Sequence, residues 1–164
     1  MRRLTHISDD GRAQMVDVSA KPVSKRKAVA TGKIRLQRKT LDLISKDQIA
    51  KGNVFATARI AGIQAAKQTA NLIPLCHVLS LGEVKIDIVT SNKGAQVKCA
   101  AQTVGQTGVE MEALVGVTAA LLTIYDMCKA VDRQMQIYDV CLIEKTKRPV
   151  AVVYDSQSRK PQRS

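Results

Sequence analysis

The sequence predicts one α+β domain in which a four-stranded antiparallel sheet carries two main helices on one face. Two adjacent segments alternate apolar and polar residues with period two, as half-buried strands do, and a turn-forming segment separates them. Two longer segments repeat their apolar residues at helical spacing. The 164 residues suffice for a single domain, expected at 15–154, between a flexible segment at 1–14 and a disordered basic tail at 155–164.

The first part of the domain contains a strand candidate and a basic stretch. Residues 15–19 alternate briefly and predict a short strand. Around Pro22, four cations occupy a stretch without an amphipathic pattern: Lys21, Lys25, Arg26 and Lys27. This composition predicts a basic loop, and a solvated loop and a phosphate-binding loop fit it about equally well.

A strand and two helices are expected next. Residues 33–38 alternate charged and apolar side chains and predict a half-buried strand, and 39–46 predict a short helix. A second major helix begins after Asn53, a suitable N-cap, and ends near 70–71 because Pro74 prevents its continuation. Its predicted buried face consists of Val54, Ala58, Ala61, Ile63, Ala65 and Ala66.

The second half supplies a hairpin, the longest helix and a final strand. Residues 82–90 and 96–104 alternate as strands on either side of a turn. The helix is expected over 109–131, followed by a strand over 134–143 and a short edge strand over 150–154. The predicted buried face of this helix consists of Met111, Leu114, Val115, Thr118, Leu121, Leu122, Tyr125 and Cys128. The order of elements is that of a ferredoxin-like βαββαβ fold, which hosts RNA readers, metal carriers and enzymes alike.

The charge of the chain favours an anionic partner. Lysine and arginine number 26 against 14 acidic residues, a net charge of +12, which suits a nucleic acid, a nucleotide or a phosphorylated metabolite. With no tryptophan, one phenylalanine and three tyrosines, the chain has few rings on which to stack bases, so no nucleic-acid partner is expected. The absence of a Cys-x-x-Cys loop argues against a metal carrier, and no dedicated metal site is expected.

The cysteine pattern and the N-terminus predict a cytoplasmic protein. The four cysteines each lie within an apolar run and show no paired spacing, as expected of buried, reduced thiols. The first residues are polar rather than a secretory signal, and no apolar run approaches the length of a membrane span. We therefore expect a reducing compartment and no membrane partner.

Charged residues on and near the longest helix are the first candidates for chemistry. Glu110 and Glu112 lie in its first turn, where carboxylates also suit the helix dipole. Asp126 and Lys129 lie three positions apart near its end, and an ordinary ion pair is the simpler explanation for them. Lys51 precedes a helix N-terminus, where a lysine and free backbone amides could hold a phosphate.

The length of this helix limits how its two ends can act together. Glu112 and Asp126 are fourteen positions apart, which is roughly 20 Å at a rise of ~1.5 Å per residue. One small substrate could hardly touch both ends within one chain. If both ends are functional, we expect the site at a subunit interface, where the start of one helix meets the end of another.

Seven short segments of the sequence form a recognisable set: LTHI at 4–7, MVDVSAK at 15–21, KG at 51–52, ARIAGIQAAK at 58–67, LIPLCH at 72–77, TGVEMEAL at 107–114 and TIYDMCKAV at 123–131. Together they resemble the MoaC family of molybdenum cofactor biosynthesis, the cyclic pyranopterin monophosphate synthases. The resemblance covers nearly the whole predicted domain. It implies a ferredoxin-like fold and a homohexamer, a trimer of dimers, with active sites at subunit interfaces.

The resemblance also implies a reaction without a redox cofactor. A cyclised guanosine triphosphate derivative, (8S)-3',8-cyclo-7,8-dihydroguanosine 5'-triphosphate, is rearranged to cyclic pyranopterin monophosphate, and diphosphate is released. Magnesium (Mg2+) could accompany the triphosphate. By motif position, the resemblance implies that Asp126 is the catalytic aspartate, with Lys129 as its partner and Lys51 as the second catalytic lysine. The substrate-binding candidates are Leu75, Cys76, His77, Glu110, Met111 and Glu112, with the cations Lys21 and Arg26.

Three positions depart from the family pattern. Asn53 stands where aspartate is usual, Val78 follows His77 where proline is common, and Asn71 replaces a frequent aspartate. None of them is a candidate catalytic residue, so we expect an active enzyme. The alternative is a non-catalytic nucleotide- or RNA-binding protein that uses its basic face. A purely structural hexamer would leave the charges on so apolar a helix unexplained.

Overall fold

The computed structural model describes residues 12–150, which form eight helices and strands. In chain order these are β1 (Ser24–Arg35), α1 (Arg38–Ser45), α2 (Val54–Lys67), α3 (Thr69–Leu72), β2 (Leu81–Ser91), β3 (Gly94–Gly105), α4 (Glu110–Cys128) and β4 (Gln136–Pro149). The predicted flexible segment at 1–14 and edge strand at 150–154 lie largely outside the described residues. The predicted tail at 155–164 lies wholly outside them.

The sheet is antiparallel, with the strand order β2-β3-β1-β4. α2 packs against β2 and α4, while α4 packs against β1, β3 and β4, so both long helices cover the same face. This arrangement confirms the ferredoxin-like fold predicted from the sequence. It places β1 and β3 in the centre of the sheet and leaves β2 and β4 at its edges.

β1 and β4 are longer than their sequence patterns predicted, although β1 ends at Arg35 rather than at residue 38. β1 includes the basic residues 25–27, which were expected to form a loop because they do not alternate. Their backbone nevertheless pairs on both sides, since Lys25 lies opposite Val104 of β3 and Arg148 of β4. β4 reaches Pro149 because it follows this part of β1. Pairing within the sheet has overridden local composition here.

The bounds of α1 and the start of α2 are close to prediction, whereas the end of α2 is not. α1 lies within one residue of its expected bounds, and the side chain of Asn53 accepts a 2.8 Å hydrogen bond from the backbone of Ala56, as expected of an N-cap. α2 ends at Lys67 rather than near 70–71, and α3 follows it. The strand predicted at 15–19 is wrong, because these residues form no strand.

The turn between β2 and β3 depends on a glycine. Gly94 has a φ of +140°, and a Cβ at this position would overlap the carbonyl oxygen of Ile34 on β1. Both strands of the hairpin extend slightly beyond their predicted ends and meet at this turn. The hairpin itself is therefore confirmed.

α4 buries a different face from the one predicted. Leu121 and Cys128 are buried as expected, but Leu122 is 56% exposed and the other predicted residues are only half-buried. Most of the core-facing residues are others: Ala113, Gly116, Val117, Ala120, Ile124 and Met127. Apolar residues occur all round this helix, so periodicity could not identify the packed face.

Small residues let α2 and α4 approach closely and thereby decide which faces are buried. A Cβ at Gly62 would lie 2.8 Å from the carbonyl oxygen of Gly116, and one at Gly116 would lie 3.2 Å from the carbonyl oxygen of Gly62. The buried face of α2 consists of Val54, Ala58, Gly62 and Ala66. Three residues predicted for this face are only half-buried: Ala61, Ile63 and Ala65.

α4 is also long and apolar enough to cross a membrane, although no stretch of that length was expected. Length and composition are weak evidence by themselves, because the core helix of a globular domain passes the same test. Half of α4 is buried inside this domain, where it packs against α2, β1 and β3. α4 therefore packs as a core helix of this domain.

The cysteines are all free, but they are not all buried. Burial raises the pKa of Cys99 to about 12 and, with a smaller effect of the Asp132 charge, that of Cys128 to about 11. Cys76 is partly buried, whereas Cys141 is exposed on the edge strand β4. The expectation of a buried thiol is therefore wrong for Cys141, because an edge strand leaves its outer residues open to solvent.

Candidate active site

A cavity of about 300 Å³ lies beside the N-terminus of α4. Its lining consists of Val16, Val18, Lys21, Leu75, Cys76, His77, Leu79, Thr107, Gly108, Glu110, Met111 and Glu112. All residues predicted to bind the substrate line this cavity except Arg26. Their distribution over the chain shows that the cavity is assembled by the fold.

Two hydrogen bonds hold the segment 16–21 along the cavity. The Nε2 atom of His77 lies 2.8 Å from the carbonyl oxygen of Val16. The side-chain amide of Gln106 donates a 2.8 Å hydrogen bond to the carbonyl oxygen of Ser19. Loops on both sides of the cavity therefore fix a segment that has no regular structure of its own.

Glu112 is the buried acid of the cavity. Only 4% of its surface is exposed, and burial raises the pKa of its carboxyl group, with a smaller effect of the Glu110 charge. Burial also raises the pKa of Cys76, and the Glu112 charge adds to this effect. Because a raised pKa keeps a thiol protonated at neutral pH, Cys76 offers a hydrogen-bonding group rather than a thiolate nucleophile.

The other end of α4 carries a cluster of three charges, Lys51, Asp126 and Lys129. Nζ of Lys51 lies 2.6 Å from Oδ2 of Asp126, and Nζ of Lys129 lies 2.7 Å from Oδ1. Lys51 also donates a 3.0 Å hydrogen bond to the backbone carbonyl of Asp126. The three residues predicted to be catalytic are thus adjacent, with one carboxylate between two ammonium groups.

The connection between α1 and α2 presents Lys51 to this cluster. Gly52 has a φ of +94°, a conformation that favours glycine. The side-chain amide of Asn53 donates a 2.8 Å hydrogen bond to Oδ1 of Asp47 while its oxygen caps α2. Lys51 pairs with the carboxylate of Asp126 at the end of α4. The phosphate-binding role that the sequence suggests for Lys51 stays a prediction.

Hydrogen bonds from both lysines keep Asp126 ionised. The bond from Lys129, followed by that from Lys51, lowers the pKa of Asp126 from 3.8 to about 2. The same carboxylate raises the pKa of Lys129. The three side chains are 48%, 55% and 58% exposed, so an anionic ligand could reach all of them.

The cavity and the charge cluster lie at opposite ends of α4. The helix has 19 residues, and Glu112 and Asp126 are roughly 20 Å apart along it at ~1.5 Å per residue. The separation expected from the sequence therefore exists in the folded chain.

Arg26 lies outside the cavity lining. Its guanidinium group donates hydrogen bonds to the carbonyl oxygens of Gly105 and Gln106, at 3.2 Å and 2.8 Å. It thereby holds the connection that leads from β3 to Thr107 and Gly108 in the cavity wall. Within one chain, this cation supports the wall of the cavity rather than its interior.

Sequence reasoning missed several residues of the site. Val16 and Val18 line the cavity, although the alternation at 15–19 had suggested a strand. Lys145 of β4 forms an ion pair with Glu110. No local signal distinguishes Lys145 from Lys147, the other lysine of β4, because only the pairing of β4 with β1 brings it to α4.

Comparison with known proteins agrees with this geometry. The model of a family described as the MoaC family matches residues 15–148, which include both the cavity and the cluster. The chain belongs to the MoaC family. A cyclic pyranopterin monophosphate synthase of Parvibaculum lavamentivorans is 50% identical over 147 residues, which are 88% of this chain and 92% of the relative. Proteins of the same name from a Roseiflexus species and from Desulfitobacterium hafniense are each 51% identical, over 89% and 87% of this chain and 94% and 88% of their own lengths.

The described part of this MoaC family member contains no obvious metal centre. Between residues 12 and 150, no group of three or more histidine, cysteine, aspartate or glutamate side chains could hold a metal ion. That the protein needs no resident metal or redox cofactor stays a prediction.

Proposed function

We propose that the chain is a cyclic pyranopterin monophosphate synthase, a lyase that converts the cyclised guanosine triphosphate derivative to cyclic pyranopterin monophosphate and diphosphate in molybdenum cofactor biosynthesis. Relatives of this name match nearly nine-tenths of the chain. The observation that carries the proposal is the cluster of Lys51, Asp126 and Lys129. The relatives lend no support to the alternative, a non-catalytic nucleotide- or RNA-binding protein.

The charges of the cluster suit a reaction that expels diphosphate. Asp126, with a pKa of about 2, is ionised at neutral pH and is a weak base while both lysines bind it. In the free enzyme it holds the two ammonium groups side by side. Lys51 and Lys129 then present positive charge where the leaving diphosphate and the closing cyclic phosphate develop negative charge.

The same three groups can also move protons once the substrate is bound. An anionic substrate competes with Asp126 for the lysines and weakens their hydrogen bonds to it. The pKa of Asp126 then rises toward its ordinary value, which makes this carboxylate a better proton acceptor. The negative charge of the substrate keeps both lysines protonated, so that they remain proton donors during ring opening and closure.

The cavity at the other end of α4 is proposed to bind the ring system of the substrate. Its volume of about 300 Å³ is at the lower end of the range for small-molecule sites. Glu112 and His77 supply polar groups for the ring, and Lys21 supplies a positive charge for the phosphates. The apolar side chains of Leu75 and Met111 provide the remaining contact surface.

The two halves of the site are proposed to come from different subunits. Within one chain they are roughly 20 Å apart along α4, too far for one substrate to contact both. Leu122 of α4 and Ile60 of α2 are 56% and 59% exposed and offer apolar surface for association. A homohexamer built as a trimer of dimers, in the cytoplasm, completes the proposal.

The test is incubation of the purified protein with the cyclised guanosine triphosphate substrate while diphosphate and pterin formation are followed. The wild type should form both products, and Lys51→Ala and Asp126→Asn should each be at least ~100-fold slower. Lys33 and Asp139 are a matched control, because they form an ion pair of 3.0 Å with side chains that are 41% and 57% exposed.

Lys33→Ala and Asp139→Asn should therefore leave the rate unchanged. Substrate binding by the wild type without release of diphosphate would favour the binding protein. Turnover at the wild-type rate by Lys51→Ala and Asp126→Asn would show that the cluster takes no part in the reaction.

A further inference from the structure

The buried carboxylate of Asp132 joins the two chain segments that carry the charge cluster. Asp132 is only 1% exposed. Its Oδ2 accepts hydrogen bonds from the backbone N–H of Gln37 at 2.8 Å and the hydroxyl of Thr40 at 3.0 Å. Its Oδ1 accepts one from the backbone N–H of Gln134 at 3.1 Å. Burial of a carboxylate is costly unless such bonds compensate, so the three donors are what make this position tolerable.

Asp132 caps α1 from a distant part of the chain. Gln37 is the N-cap residue of α1, and its own side chain makes no capping hydrogen bond. The carboxylate of Asp132 accepts the backbone N–H of Gln37, one of the donors that a helix start leaves unpaired, and places negative charge at the positive end of the helix dipole. The backbone N–H of Asp132 in turn donates to the carbonyl of Cys128, the last residue of α4. One residue thus ties the end of α4 to the start of α1.

These are the two segments that must be aligned for the cluster to form. Asp126 and Lys129 lie at the end of α4, and Lys51 lies in the connection that follows α1. The buried side chains of Ile49 and Val54 hold this connection to the core. Apolar contacts are not directional, however, whereas hydrogen bonds to a fixed carboxylate define the position of one helix against another.

We propose that Asp132 is a positioning residue that sets α1 against the end of α4 so that Lys51 reaches Asp126. This inference rests on the proposed function. Because the cavity proposed for the ring system lies at the other end of α4, loss of Asp132 lowers kcat by a larger factor than it raises KM. A residue that served stability alone would reduce the folded fraction without altering either constant of the folded enzyme.

The test compares Asp132→Ala and Asp132→Asn with Val97→Ala, which truncates a fully buried side chain of β3. Two readouts are made on folded protein: steady-state kinetics, and the titration of the Asp126 carboxyl carbon by NMR. For Asp132→Ala we expect kcat to fall at least ~10-fold with a smaller rise in KM. The Asp126 titration should move to higher pH as the Lys51 hydrogen bond is lost. Asp132→Asn, whose side-chain carbonyl can still accept a hydrogen bond from Thr40, should show smaller changes in kcat and in the Asp126 titration. Val97→Ala should change neither kcat nor this titration.

An unchanged kcat and an unchanged Asp126 titration in folded Asp132→Ala would overturn the proposal. If that variant does not fold, Thr40→Val removes one of the three donors and is judged by the same two readouts. Absence of turnover in the wild type would refute the proposed function, but the Asp126 titration would still decide whether Asp132 aligns Lys51.

Discussion

Nζ of Lys51 and Oδ2 of Asp126 lie 2.6 Å apart, although the two residues are 75 positions apart in the chain. The contact joins the connection before α2 to the last turn of α4. Ion pairs between half-exposed side chains contribute little to folding stability. A carboxylate that binds two lysines at such a site is therefore better explained by chemistry than by stability.

The proposed division of the site between subunits predicts complementation between inactive variants. Lys51→Ala damages the charge cluster and Glu112→Gln damages the cavity. In a mixed dimer with shared sites, one site combines both damaged halves and the other combines both intact halves. Co-expression of the two variants should therefore restore about a quarter of the wild-type activity under random pairing, measured as diphosphate release.

A second mixture is the control for this experiment. Lys51→Ala and Asp126→Asn damage the same half of the site, so no mixed dimer has an intact site and no activity should return. No recovery in either mixture would mean that each active site lies within one chain.

Replacement of Lys129 should raise the lowered pKa of Asp126 part of the way to its ordinary value. The hydrogen bond from Lys129 is the largest cause of the depressed pKa, so Lys129→Met should move the titration of Asp126 upward from about 2 toward 3.8. A carboxyl group whose pKa is lower in the folded than in the unfolded state stabilises the fold at pH values above its unfolded pKa. This stabilisation is lost as the pH falls through the folded pKa. In Lys129→Met, the contribution of Asp126 to folding stability should accordingly be lost at a higher pH than in the wild type.

The measurement is an NMR titration of the aspartate carboxyl carbons. Lys85→Met is the control, because Lys85 pairs with Asp87 at 3.0 Å on β2 and does not contact the cluster. Identical Asp126 titrations in Lys129→Met and the wild type would contradict the prediction.

Glu112 should make stability depend on pH in the opposite sense. Its folded pKa is raised above the ordinary value of 4.5 by burial, so the unfolded state ionises first as pH rises. Stability should therefore fall as pH rises from the unfolded toward the folded pKa and stay lowered above it. Glu112→Gln lacks this loss, and its Tm relative to the wild type should increase as pH rises above the ordinary value of 4.5.

Thermal unfolding at several pH values checks this prediction. Glu144→Gln is the control, since Glu144 is exposed on β4 and pairs with Lys27. The difference in Tm for the control should not follow the curve expected for Glu112→Gln. Parallel curves for the two variants would show that burial of Glu112 is not the cause.

The close contact between α2 and α4 predicts a large effect of one methyl group. A Cβ at Gly62 would lie 2.8 Å from the carbonyl oxygen of Gly116 and 3.0 Å from Cδ1 of Ile86. Gly62→Ala should therefore lower the free energy of unfolding by ~1–3 kcal/mol. Gly82→Ala is the control, because its nearest neighbour would be a carbonyl oxygen at 3.9 Å. Denaturant unfolding of both variants decides whether the contact limits stability.

The sequence by itself determined the types and order of the main elements. The alternation of the β2–β3 hairpin, the turn with Gly94 and the N-cap at Asn53 are local signals, which act over a few residues and survive in any tertiary context. They sufficed for the ferredoxin-like arrangement. Motif positions likewise named Lys51, Asp126 and most of the cavity lining before any geometry was known.

Only the tertiary structure decided which surfaces and groups meet. The basic residues 25–27 became strand because their backbone pairs on both sides, and the buried face of α4 followed from its close approach to Gly62. The contact of Lys51 with Asp126 and the placement of 16–21 along the cavity depend on residues far apart in sequence. Such contacts arise from packing and backbone pairing over the whole domain, which no local periodicity encodes.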